Sequence, residues 1–186
     1  MLNSKIRYLL FANYLNIFAY AIFGPLFAIF VLNIGGDSKT VGLAAGVQAY
    51  AAALMILFFG KWENSNKHKE KLVVLGFFWM AFGAVGYTLV DSLWKLFAVQ
   101  IFNAIGTGLL TPALRSTYAE VEDKGRETQE WSFWEGGNRL FMATGALLSG
   151  FVLSASGGFK VLFGLMAFIQ FIAAILSIKI LKLRKL

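Results

Sequence analysis

Apolar residues in this chain come in blocks of about twenty, separated by short polar or glycine-rich breaks. The blocks cover roughly 8–32, 41–60, 72–90, 95–114, 133–154 and 160–181. Each is long enough to cross a hydrocarbon layer of about 30 Å as a helix. The breaks are Gly35-Gly36-Asp37-Ser38-Lys39, the basic stretch from Lys61 to Lys71, Asp91-Ser92, the charged stretch from Arg115 to Glu130, and Ser154 to Gly158. This pattern predicts an all-α membrane protein of six transmembrane helices in a single domain, residues 1–186. The first block is too long for a signal-peptide core and is not followed by a small-residue cleavage site, so an uncleaved anchor is expected.

Composition agrees with the pattern: 58% of residues are apolar, more than a soluble chain of 186 residues can cover with polar surface. The formal charge of +7 changes the picture only through its distribution. If the N-terminus lies inside, the outer loops hold Lys39, Lys95 and Lys160, and the other fourteen of the seventeen basic residues fall on the inner side. By the positive-inside rule this places both termini in the cytoplasm of a cell with this protein in its inner (plasma) membrane. It also accounts for the charge without any nucleic-acid partner. Trp62, Trp94 and Trp131 fall near predicted helix ends, where amphipathic rings favour the headgroup level.

The chain has no cysteine, and its one histidine, His68, sits in a polar stretch among lysines. No metal-ligand cluster and no catalytic triad is readable. Gly106-x-Gly108-x-x-Thr111 has the spacing of a nucleotide loop but lies inside an apolar helix with no strand before it. Neither covalent chemistry nor a cofactor is expected, and the chain does not read as an enzyme.

An internal repeat is the most informative feature. The two prolines, Pro25 and Pro112, superpose when the sequence is slid by 87 residues. Asn13 then meets Gln100, Asn16 meets Asn103, Tyr20 meets Thr107, and Gly24 meets Thr111. Within each helix these positions recur at i, i+3, i+7 and i+11 and share one face. A 3+3 repeat follows, with its halves inverted because an odd number of crossings separates equivalent helices. Two matched polar faces in an apolar bundle predict a cavity lined by Asn13, Asn16, Tyr20, Gln100, Asn103 and Thr107. Isolated interhelical hydrogen bonds are the plainer reading of the same amides.

On these residues the chain resembles the amino-terminal half of a major facilitator superfamily transporter over essentially its whole length. The matches are Gly60 before a basic loop, Ile105-Gly106-Thr107-Gly108-Leu109-Leu110-Thr111-Pro112-Ala113 in the fourth span, and the Lys124-Gly125-Arg126 turn. Departures are visible too. In the loop pattern G-x-x-x-D-R-x-G-R-R, Gly60 and Lys69 fit, but Asn64, Ser65 and Lys67 do not. Gln100 stands where many members carry a proton-coupling arginine, and the fifth span lacks the proline of the antiporter G-P-x-x-G pattern.

The resemblance implies a secondary transporter that moves a small polar organic solute by alternating access. Most members have twelve helices, so a partner bundle is expected. Two copies of a six-span chain insert with the same orientation, which allows a homodimer. In the family the second and fifth helices face the other half. Here they carry small residues, among them Gly42, Gly46, Ala49 and Ala53, then Gly145 and Ser149, at spacings that let backbones approach. Close packing within one protomer explains the same spacings. Arg115, Glu120, Glu130, Glu135 and Arg139 are the candidate gating charges, with Glu135 and Arg139 able to pair one turn apart. A non-transporting scaffold, and one half of a heteromeric transporter, remain alternatives. Bulky Phe77, Phe78, Phe82, Phe163, Phe168 and Phe171 in spans three and six are expected to face lipid or lie at the periphery.

Overall fold

The computed structural model describes residues 2–64 and 68–183, without the side chains at 64 and 156. Ser65 and Lys67 of the loop pattern, the side chain of Asn64, and Arg184 and Lys185 of the basic end therefore lie outside the described residues. The rest is helical: α1 (Ser4–Phe23), a 3-10 turn (Gly24–Leu26), α2 (Phe27–Asn33), α3 (Ser38–Asn64), α4 (Lys69–Thr88), α5 (Leu93–Val121), α6 (Glu127–Ser156) and α7 (Phe159–Lys182). The first predicted span is α1, the turn and α2 together, and the other five are α3 to α7. Five of these six stretches are long and apolar enough to cross a membrane by length and composition. The remaining one, α6, is 30 residues long; Glu135, Asn138 and Arg139 dilute its apolar content.

The first span is interrupted where Pro25 removes a backbone donor next to a glycine. Phe27 N–H bonds back to Gly24 O instead, closing a tighter i→i+3 turn. Pro112, its repeat mate, stays inside an unbroken α5. Helices also run past the apolar blocks on the side of the termini. α5 continues to Val121 and α6 begins at Glu127, where Tyr118 O–H donates to the Glu130 carbonyl of α6 and Glu120 pairs with Lys69 of α4.

Helices pack as a row in the order α3, α5, α4, α7, α1, α6. Exchanging the two three-helix halves (the first span for α5, α3 for α6, α4 for α7) turns this row into its own reverse, as a twofold-related repeat requires. α3 and α6 stand at the two ends of the row, and they carry the most exposed large apolar side chains, Tyr50, Leu57, Leu147 and Phe151.

Lipid is as apolar as leucine, so packing and hydrogen bonds hold such a row together rather than water exclusion. A Cβ on Gly108 would collide with the Met55 backbone of α3, and one on Gly145 would stand 2.8 Å from Ala21 Cβ and Phe18 O of α1. Gly145 and Ser149, expected at a subunit interface, are thus buried inside the protomer. Gly42, Ala49 and Ala53 remain exposed and Gly46 half-buried. Phe77 and Phe163, expected at the periphery, are core residues instead, whereas Phe82 and Phe168 are exposed. Phe163 packs its ring 4.9 Å from both Phe23 and Phe30 and 5.3 Å from Tyr87, pairs worth roughly 0.5–1.5 kcal/mol each.

The termini share one end of the bundle, where Lys179 Nζ lies 5.2 Å from the centre of the Tyr8 ring. That end is fastened by Lys5–Glu70 and Lys69–Glu120, both at 2.7 Å. At the far end Lys95 pairs with Asp91 at 2.6 Å.

Candidate functional site

All six residues of the predicted polar face line one set of adjoining cavities along α1 and α5. The first, about 180 Å³, is bounded by Asn13, Asn16, Thr107, Thr111, Arg115 and Asn138 with an apolar remainder. The second, about 430 Å³, is walled by Tyr20, Gln48, Tyr87, Gln100, Asn103 and Thr107. Asn16 and Tyr20 also border a third of about 470 Å³, beside Gly24, Pro25 and Met142. Shared walls join them: Met80 and Thr107 between the first two, Tyr20 and Gly24 between the second and third, Asn16 and Ile17 between the first and third.

Polar groups here are tied across the helices. Tyr20 O–H donates to Asn103 Oδ1 at 2.6 Å, linking the first and fourth spans at the polar face. Asn103 Nδ2 donates to Val99 O and Thr107 Oγ1 to Asn103 O. Gly83 makes room for this amide, since a Cβ there would overlap Asn103. Tyr87 O–H donates to Gln100 Oε1 at 3.0 Å, and Asn13 Nδ2 to Asn138 Oδ1 at 2.9 Å. Asn16 Oδ1 is buried and accepts no hydrogen bond among the described residues. Its backbone carbonyl accepts from Gln170 Nε2, an amide wholly enclosed in α7.

Sequence reasoning missed Gln48, Tyr87 and Asn138, which complete the walls. For Gln48 the available signal was a lone amide in the apolar stretch of α3, since a polar group in a membrane helix is costly without a purpose; Asn138 stood among the charges of α6 and Tyr87 among the aromatic residues of α4. Without a repeat mate to align with, they did not stand out.

The gating charges are placed differently from one another. Arg115 lies on the cavity wall and is the charged residue lining these three cavities. Glu120 is paired with Lys69 rather than with an arginine. Glu130 is buried under the α5–α6 connection, where its Oε2 accepts from Asp123 N–H at 3.1 Å. Burial holds its carboxyl above the ordinary range, and the Asp123 N–H opposes that shift. Glu135 and Arg139 are both exposed on α6, and the expected pair between them is not among the ion pairs of the described residues. An exposed pair gains too little to hold two long side chains in one geometry.

No group of three or more potential metal ligands occurs among the described residues. The site can bind through amides, hydroxyls and one guanidinium, and has apolar walls beside them.

Comparison with known proteins agrees with this architecture. The sequence profile of the Major Facilitator Superfamily matches residues 9–185. Major facilitator superfamily domain-containing protein 6-like protein A of Xenopus laevis is 27% identical over 127 residues, covering 66% of this chain and 20% of that protein. The crystal structure of peptide transporter POT in complex with sulfate superposes with a TM-score of 0.75 at 22% identity, over 95% of this chain and 37% of that one. The POT family transporter PepTSo gives a TM-score of 0.75 at 13% identity, over 98% and 38%. The chain thus spans about a fifth of the curated relative and under two fifths of these structures. With a profile match over nearly its full length and the fold to accompany it, this multi-pass membrane chain belongs to the major facilitator superfamily.

Proposed function

We propose that this chain forms half of a secondary transporter that moves a small polar organic solute by alternating access, with a second copy supplying the other half. The observation that carries the reading is the set of adjoining cavities on α1 and α5, lined by all six residues of the repeated polar face. Amides and hydroxyls there recognise the solute, and Arg115, with no carboxylate on these walls, favours a neutral or anionic one. Facilitated diffusion without stoichiometric proton movement follows, since proton coupling needs a group that changes charge within the pathway.

The row of helices supports the assembly. α3 and α6 are packed on one side only, so a twofold-related copy would set α3 of each protomer against α6 of the other and close the pathway. Gly42, Gly46, Ala49 and Ala53 of α3 would lie in that seam, with the exposed flank of α6 replacing Gly145 and Ser149. Arg115, Glu120, Glu130, Glu135 and Arg139 would work the inner gate, with both termini in the cytoplasm.

Solute flux into liposomes that hold only this chain is the test. Flux that is weakened in Asn16→Ala, whose fold should be intact, supports the proposal, and the absence of flux across a broad solute panel points to a scaffold. Ala49→Leu should convert dimer to monomer. A wild type that is strictly monomeric and still transports would remove the homodimer.

A further inference from the structure

A groove of about 560 Å³ lies at the far end of the bundle from the termini, away from the solute pathway. Its walls come from the end of α4 (Gly86, Thr88), the connection that follows it (Leu89, Val90), the start of α5 (Ala98, Val99) and the start of α7. Ala98 stands about half a turn round α5 from Thr107, so the groove opens on the flank opposite the polar cavities. That flank continues in exposed apolar side chains, Phe82 and Val85 on α4 and Val161 and Phe168 on α7.

The groove is apolar along its floor and basic at its mouth. Trp94, Lys95 and Lys160 form the rim with Asp91. Lys95 is paired with Asp91, whereas Lys160 has no ion-pair partner among the described residues. Both lysines sit in the first turn of a helix, and neither α5 nor α7 carries an acidic residue there. A cation is disfavoured at that position, because the amide ends of the helix are already positive. Two positive helix ends and two lysines therefore meet at one mouth, offset within it only by Asp91. Trp94, 69% exposed, marks the depth at which headgroups lie.

We propose that this groove binds an anionic phospholipid, with the phosphate at Lys160 and Lys95 and an acyl chain along Val90, Ala98 and Val99. The occupant is a lipid rather than a soluble phosphate because the basic mouth opens directly onto an apolar channel on the membrane-facing flank. Bound there, the lipid bridges the α4–α5 connection to α7.

Native mass spectrometry of the purified full chain, with phosphatidylglycerol or phosphatidylcholine of identical acyl chains, tests this. Phosphatidylglycerol should be retained preferentially, and Lys160→Gln should weaken its binding about fivefold, as expected for one basic residue at a membrane surface. Ala98→Phe, which fills the channel, should weaken retention of both lipids, with a monodisperse elution profile confirming that it is folded. Lys39→Gln, at the same end but outside the groove, should change nothing. Equal retention of the two lipids, or unchanged binding in Lys160→Gln, overturns the proposal. So does displacement of phosphatidylglycerol by equimolar glycerophosphate, which would show that the headgroup binds without the channel.

Discussion

The first and fourth spans are repeat mates that the fold treats differently. Both carry a proline at the same register, yet the first is broken into α1, a turn and α2 while α5 runs unbroken for 29 residues. The residue before each proline accounts for part of this. Gly24 has open space around it and borders two cavities, so its backbone is free to tighten. Thr111 offers less freedom, and α5 is wedged between α3 and α4. The contrast extends to the neighbours. The first span meets its flanking helix through Ala21 against Gly145, and α5 meets its own through Gly108 against Met55. A duplicated framework has kept its contact levels while placing the smallest residue on the central helix in one half and on the flanking helix in the other.

The largest expected effect tests those contacts. Gly108→Leu and Gly145→Leu should each cost at least about 3 kcal/mol or prevent folding, because four carbons must enter space already filled by a neighbouring backbone. Thermal unfolding in detergent reads this directly. If Gly145→Leu keeps wild-type stability and only dissociates an oligomer, Gly145 belongs to a subunit interface after all.

Asn16 and Asn103, aligned by the repeat, should differ next. Asn103→Ala removes the partner of Tyr20 O–H and should destabilise the fold by about 1–3 kcal/mol. Asn16→Ala deletes a buried oxygen that has no donor, and should be nearly neutral for stability. Solute binding in Asn16→Ala then reports recognition alone. Equal losses of stability in the two variants would erase the distinction.

Pro112→Ala should stabilise by about 1 kcal/mol, since it restores one backbone hydrogen bond inside a continuous helix. Pro25→Ala should leave the melting temperature nearly unchanged and slow liposome flux by straightening the cavity wall. Normal flux in Pro25→Ala would make the break incidental.

The smallest effect concerns the extension of α5, which the first span lacks. Its Tyr118 O–H donates to Glu130 O, and the Glu130 carboxyl titrates above its ordinary range mainly through burial. An acid whose pKa is raised by folding favours the protonated native state, so stability declines as pH climbs from the ordinary carboxylate range through the raised value. Melting curves across that window should slope downward in wild type and less steeply in Glu130→Gln, the remaining slope coming from Glu63, whose carboxyl burial pushes up to about 7. A slope unchanged in the variant would assign the pH dependence to another group.

The six crossings were legible because twenty-residue apolar blocks have few other uses, and the polar face was legible because it occurs twice. What escaped the sequence has physical causes. The apolar-length criterion stops where hydrocarbon stops, whereas α3, α5 and α6 continue on hydrogen bonds and ion pairs beyond it. Small residues signal close approach without naming the partner, so Gly145 read as well for another subunit as for Ala21. The break at Gly24 needed the cavities beside it to be known. Phe77 and Phe163 read as peripheral because nothing in one helix reveals which side its neighbours occupy.

The order of the row has a consequence for how the chain matures. Of its five adjacent pairs, only α4 and α5 are also consecutive in sequence. α1 is made before the other helices of this bundle, yet Tyr14 O–H, Asn13 Nδ2 and the Asn16 carbonyl find their partners 119, 125 and 154 residues later. Until α6 and α7 have been synthesised, α1 must wait in the translocation machinery or the bilayer with those groups unmatched. Non-local closure of this kind is slow and exposes intermediates. Chains stalled before residue 127 should therefore be marked by an α1 that insertion chaperones still hold.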